Sequence, residues 1–132
     1  MSPVAARCIL VVDDEPTVRG FVQFSLRGAK FDVLEATNGP QALDIIRSKR
    51  PDLVVLDIRI PGMDGIEVLR QLRDSPDTKA LPVILLTGTV LDVDEVVRVL
   101  ELDPSDILTK QVSAHELVAR VRWVLRRNAL RP

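Results

Sequence analysis

Cysteine occurs once, at Cys8, and a single thiol cannot close an internal disulfide. A reduced, cytoplasmic setting is the default expectation for such a chain. Cys8 itself sits in an aliphatic run and reads as a small core residue. No apolar run approaches the ~20 residues that span a bilayer, and the opening residues lack the pattern of a signal peptide, so no membrane association is expected. Net charge is nearly absent: 18 Lys and Arg stand against 19 Asp and Glu, and a balance of −1 argues against nucleic acid as a direct partner. Repeats, low-complexity tracts and internal linkers are absent as well. What is present is 132 residues, 46% of them apolar, in one globular unit. A chain of that length buries roughly 65–70% of its unfolded surface without staples. The boundaries read as a tail over 1–7, a domain over 8–127, and a tail or the start of a linker over 128–132.

Strand and helix patterns alternate five times, the signature of a doubly wound α/β domain with a five-stranded parallel sheet. Strands are predicted at Cys8 to Val12, Asp32 to Ala36, Leu53 to Asp57, Pro82 to Leu86 and Asp106 to Thr109. The first helix starts at Glu15-Pro16, runs to about Arg27, and has Val18, Phe21, Val22 and Leu26 as its apolar face. The second, Pro40 to Lys49, carries Ala42, Leu43 and Ile46. The third, about Gly65 to Arg73, buries Ile66, Leu69 and Leu72. The fourth, about Val93 to Leu102, places Val93, Val96, Val97 and Leu100 on one stripe. In the fifth, Ser113 is the predicted N-cap, Glu116 completes a capping box, and Leu117, Val121, Val124 and Leu125 form the stripe.

Leu53-Val54-Val55-Leu56 reads as a strand buried on both faces, and it ends abruptly in Asp57. The three strongly apolar strands, first, third and fourth, belong in the middle of the sheet. Right-handed crossovers then give the order 2-1-3-4-5, with the mixed second strand and the brief fifth at the edges. Strands one and three lie side by side with their helices on opposite faces, which opens a crevice at their carboxyl ends. Asp13, Asp14 and Asp57 are expected to meet there. Three carboxylates in such proximity repel and need a cation. Hard oxygen ligands suit Mg²⁺, with Mn²⁺ as the alternative. Lys110 arrives from the fifth strand with a fixed positive charge. Thr87 adds a hydroxyl and Gly88 an unobstructed backbone N–H. Such equipment suits acceptance of a phosphoryl group by Asp57.

The runs Ile9 to Glu15, Leu53 to Asp57, Pro61-Gly62-Met63-Asp64-Gly65, Leu86-Thr87-Gly88 and Leu108-Thr109-Lys110 resemble the receiver domain of two-component response regulators. The resemblance extends from about Cys8 to Arg127 and implies a flavodoxin-like (βα)5 fold. It implies that Asp57 accepts phosphate from a sensor histidine kinase or phosphotransfer protein. It further implies that Mg²⁺ is held by Asp13, Asp14, Asp57 and the backbone carbonyl of Arg59, with Thr87 and Lys110 gripping the phosphoryl oxygens. The face of the fourth helix, fifth strand and fifth helix would then change and be read by a partner or output domain, transcription regulation among the outputs. In this family that face commonly mediates homodimerisation.

Two positions depart from the family habit. Gln111 stands where Pro usually follows the lysine, often through a cis bond; a non-proline cis bond costs about 2.5–4 kcal/mol. Ile107 replaces the usual Tyr or Phe whose swing accompanies the threonine. Trp123 lies opposite the fifth helix's stripe, flanked by Glu116, Arg120 and Arg127, and reads as a partner anchor or as a ring flat on its own surface. Met63 reads as a packing residue, and the lone His115 as an exposed side chain with no phosphoacceptor role. The arginines from Arg120 to Arg131 are a solvated helix face or the approach to a further domain. Two other functions share the fold. An aspartate-nucleophile phosphatase needs an acid two residues after the nucleophile, where this chain has Arg59. A flavodoxin-like carrier needs a hydroxyl- and glycine-rich loop after the first strand, where this chain has Asp13-Asp14-Glu15.

Overall fold

The computed structural model describes residues 7–88 and 90–129. Of the expected N-terminal tail only Arg7 falls among them, and Thr89 and residues 130–132 lie outside. Strands and helices alternate throughout: β1 (Cys8–Val12), α1 (Pro16–Gly28), β2 (Asp32–Ala36), α2 (Gly39–Lys49), β3 (Leu53–Asp57), α3 (Gly65–Asp74), β4 (Val83–Thr87), α4 (Val93–Glu101), β5 (Asp106–Thr109) and α5 (Ala114–Ala129). All strand pairs are parallel, in the order β2-β1-β3-β4-β5 that the hydrophobic pattern predicts. β4 begins one residue later than the apolar pattern suggests. Pro82 has no N–H for the ladder, although its carbonyl accepts from the Val54 N–H at 3.0 Å.

Side-chain alternation splits the core into two layers. Val54 and Leu56 of β3 join Leu10 and Val12 of β1 against α2 and α3. Leu53 and Val55 join Ile9, Val11 and Ile84 against α1 and α5. Every residue of β3 and β4 is buried, which explains their uninterrupted aliphatic runs. Register then decides the geometry of the rim. Val12 pairs with Leu56 and Asp57 with Leu86, so Asp13, the residue after Val12, comes level with Asp57.

Three expectations need correction. On α1, Val22, Ser25 and Leu26 are buried, whereas Phe21 is 36% exposed at the edge of the stripe. On α4, the stripe turns outward: Val93 is 78% and Leu100 68% exposed, with Val96 and Val97 also open, while Val99 is buried. At about 100° per residue Val99 lies about 110° from the centre of that stripe. The helix is apolar on both sides, and it packs through Val99, in the same cluster as Val83 and Leu85, with Leu91 and Leu102 at its ends. On α5, the Ser113 hydroxyl accepts the Glu116 N–H at 3.1 Å, but the Glu116 carboxylate turns to Arg120 and leaves the box half made. A complete capping box lies on α4 instead. Asp92 Oδ1 accepts from the Glu95 N–H at 2.8 Å, and the Asp92 N–H donates to Glu95 Oε1 at 3.2 Å.

Candidate functional site

The carboxyl ends of β1, β3, β4 and β5 deliver Asp13, Asp57, Thr87 and Lys110 to one crevice. Asp13 and Asp57 are each 1% exposed, and Thr87 is buried beside them on β4. Asp57 is held from two sides: Oδ1 accepts from the Arg59 N–H at 3.1 Å and Oδ2 from Lys110 Nζ at 3.0 Å. Asp13 Oδ1 accepts from the Glu15 N–H at 2.9 Å, a local turn that folds the loop after β1 back on itself. Its backbone carbonyl accepts from Arg19 at 2.9 Å. Ligand oxygens of Asp13, Asp14, Glu15 and Asp57 all lie within 4.8 Å of one another. Lys110 Nζ is 3.4 Å from Asp13 Oδ2 and 2.6 Å from Glu15 Oε1.

The electrostatics follow from a cluster of four carboxylates, three of which surround the Lys110 ammonium. Burial pushes the Asp13 carboxyl above its ordinary range, and the charge of Asp57 pushes the same way against the Glu15 N–H and Lys110. Burial alone would lower the Lys110 ammonium, but its bonds to Glu15 and Asp57 and the charge of Asp13 outweigh this and hold it protonated well above its usual range. Asp13 Oδ2 is buried and makes no hydrogen bond. A buried oxygen with no hydrogen-bond partner, clustered with the carboxylates of Asp14, Glu15 and Asp57 and with Asp14 open to water, is the donor set of a hard divalent cation that keeps part of its hydration shell. The residues present therefore fit Mg²⁺.

Two glycines make the crevice possible. A Cβ on Gly65 would lie 2.2 Å from the Asp57 carbonyl oxygen and 2.8 Å from Ile58 Cα, because the Gly65 N–H donates to the Ile58 carbonyl at 2.8 Å. The loop after β3 thus closes tightly beneath Asp57. A Cβ on Gly88 would meet Lys110 Cδ at 3.1 Å, so a bare backbone there leaves the lysine its path to Asp57. Gly65→Ala is expected to cost about 1–3 kcal/mol through overpacking against backbone that cannot yield. The midpoint of urea unfolding measures that loss.

Other predicted residues lie apart from the crevice. Among the described residues no peptide bond is cis, so Lys110–Gln111 is trans. Ile107 is 40% exposed on β5, and Trp123 is 47% exposed with the Arg127 guanidinium stacked 4.4 Å from its ring centroid. His115 is exposed and Met63 packs against the α2–α3 layer. Cys8 is half-buried, with its thiol pushed up by burial and by Asp52 and Asp32. Two features escaped sequence reasoning. Glu15 grips Lys110, and the Arg59 side chain leaves the crevice to pair through both Nη atoms with Glu95 of α4, Nη2 to Oε1 at 2.9 Å. The acid run Asp13-Asp14-Glu15 hinted at the first. Nothing in the sequence signals the second, because the partners are 36 residues apart.

A doubly wound sheet whose switch-point crevice carries buried acids and a lysine defines a flavodoxin-like, CheY-like domain with an acidic rim. Within that class the chain belongs to the response regulator receiver domain family, which it matches over residues 9–122. The crystal structure of the signal receiver domain of a signal transduction histidine kinase from Syntrophus aciditrophicus is 32% identical with a TM-score of 0.87, each chain covered over 96%. The BeF3-activated N-terminal receiver domain of Klebsiella pneumoniae RstA is 34% identical with a TM-score of 0.80, over 91% of this chain and 99% of that one. A CheY-like receiver domain protein from Methanospirillum hungatei JF-1 has a TM-score of 0.88 at 22% identity, over 95% of this chain and 98% of that one, a likeness of fold. Among the described residues no helix is long and apolar enough to cross a membrane.

Proposed function

We propose that this receiver domain, spanning residues 8–127, is a phosphorylation switch in which Asp57 accepts a phosphoryl group from a sensor histidine kinase or phosphotransfer protein. A carboxylate oxygen of Asp57 forms the new O–P bond as the donor's P–N bond breaks, and the departing imidazole nitrogen takes the electron pair. Asp13, Asp14, Asp57 and the Arg59 backbone carbonyl would hold Mg²⁺, or Mn²⁺ in its place. The ion, when bound, neutralises charge on the phosphoryl oxygens. Lys110, protonated and already 3.0 Å from Asp57, offsets the rest, and its bond to Glu15 aims it at the crevice. Thr87, at the end of β4, supplies the hydroxyl that grips the phosphoryl group and draws the following loop inward. Deep burial of Asp13 and Asp57 limits access of water to the acyl phosphate.

The observation that carries this reading is the meeting of Asp57, Lys110 and the buried Asp13 oxygen that lacks a hydrogen bond at the end of the sheet. No metabolic substrate is implied; the chemistry is the domain's own phosphorylation and its reversal. The output would be read from the face of α4, β5 and α5, where Val93, Leu100, Ile107 and Trp123 are exposed, by a partner, an output domain or a second copy. The RstA receiver, described as BeF3-activated, supports this reading by analogy. Incubation with acetyl phosphate and Mg²⁺ is expected to add one phosphoryl group, seen by intact-mass spectrometry and blocked by EDTA. A folded, Mg²⁺-saturated protein that stays unmodified would sink the proposal.

A further inference from the structure

α4 is lightly attached to the domain. Of its residues Val99 is buried, while Val93, Val97 and Leu100 face solvent. What ties its first turn to the acceptor site is a chain of polar contacts. The Asp57 carboxylate accepts from the Arg59 N–H at 3.1 Å. The Arg59 guanidinium then holds the Glu95 carboxylate in a two-pronged pair, and that carboxylate is only 13% exposed. Glu95 Oε1 also accepts the Asp92 N–H at 3.2 Å, the reciprocal half of the α4 capping box. One oxygen therefore serves both the helix cap and the residue that follows the acceptor by two. Planar fork-to-carboxylate pairing fixes orientation as well as distance, which a point-charge ammonium could not do.

This link matters more here than an ordinary surface ion pair would. The chain contains no tyrosine, and Ile107, 40% exposed on β5, carries no aromatic ring. An aliphatic, half-open side chain with no ring to rotate offers little leverage on α4 from that side.

Resting on the phosphoacceptor reading above, we propose that Arg59 and Glu95 are a positioning pair through which the state of Asp57 sets the placement of the first turn of α4. A ligand on Asp57 competes for the oxygen that the Arg59 N–H now holds, shifts that backbone, and moves the guanidinium and its Glu95 partner together. By linkage the placement of α4 must equally affect how readily Asp57 accepts its ligand.

The test compares the full chain with the R59M, E95Q and doubly substituted proteins, using amide hydrogen exchange of Val96 and Val97 with and without beryllofluoride and Mg²⁺. R59M keeps the backbone N–H and carbonyl, and fluorine NMR reports occupancy of the site in each protein. Without ligand, exchange is expected to rise about two- to fivefold in either single variant and no further in the double. In the wild type beryllofluoride changes this exchange; in both variants the change shrinks at equal occupancy. A purely structural ion pair would raise exchange yet leave the beryllofluoride response intact, and that result overturns the proposal. So does additivity of the two substitutions, or unchanged exchange in either. Absence of beryllofluoride binding to the wild type would overturn the phosphoacceptor reading and this coupling together, and the fluorine signal separates that outcome from failure of the pair alone.

Discussion

The D57N variant is expected to take up no phosphoryl group from acetyl phosphate while remaining folded. Amide nitrogen and oxygen are too weakly nucleophilic to form the acyl phosphate, so intact-mass labelling falls to background. The fold should hardly notice. The amide oxygen can keep the Arg59 N–H now bonded at 3.1 Å, and Lys110 retains Glu15 at 2.6 Å. The lost charge-assisted bond to Lys110 is offset by removing one of the mutually repelling carboxylates. Thermal unfolding should place the variant within about 1 kcal/mol of the wild type. Residual labelling would assign the phosphate to Asp13 or Asp14 and remove Asp57 from its role.

Asp13→Asn should behave in opposite ways with and without metal. Asp13 is 1% exposed, one of its oxygens has no hydrogen-bond partner, and Asp57 repels it. Its carboxyl is pushed up in the folded protein, so the ionised form costs stability at neutral pH, and that cost fades as the pH falls through the folded-state value. Neutralising it in a chelator should therefore stabilise the domain by on the order of 1 kcal/mol, a rise of a few degrees in Tm. In excess Mg²⁺ the order reverses. The wild type gains about 2.7 kcal/mol at a hundredfold excess over its dissociation constant, and the variant, short of a ligand, gains little. Calorimetry in EDTA and in Mg²⁺ measures both arms. A variant that melts below the wild type in both buffers would show that Asp13 serves the fold and not a cation.

The readable part of this protein came from patterns with a short repeat. Five strand patterns and five helical stripes placed every element within a residue or two. Relative polarity of the strands was enough to order the sheet, because a strand covered on both faces must be apolar throughout and an edge strand need not be. From that order the meeting of Asp13 and Asp57 follows, since parallel strands in register end at the same rim.

α4 shows where such reasoning stops. With Val93, Val96, Val97, Val99 and Leu100 in nine residues, periodicity marks a stripe but not the side that packs, and the structure buries Val99 and exposes the rest. The same limit applies to capping: Ser113 and Glu116 have the right spacing, yet Glu116 bonds to Arg120, while the Asp92–Glu95 box is complete with Glu95 also paired to Arg59.

By itself, then, the sequence determined the sheet, its order and the acids at its rim, because burial and strand register act on residue types at fixed spacing. Only the tertiary structure decided that Glu15 aims Lys110, that Gly65 must lack a side chain beneath Asp57, and that Arg59 leaves the crevice for α4. Those contacts join residues far apart in the chain, and their strength depends on ångström-scale geometry that no local pattern encodes.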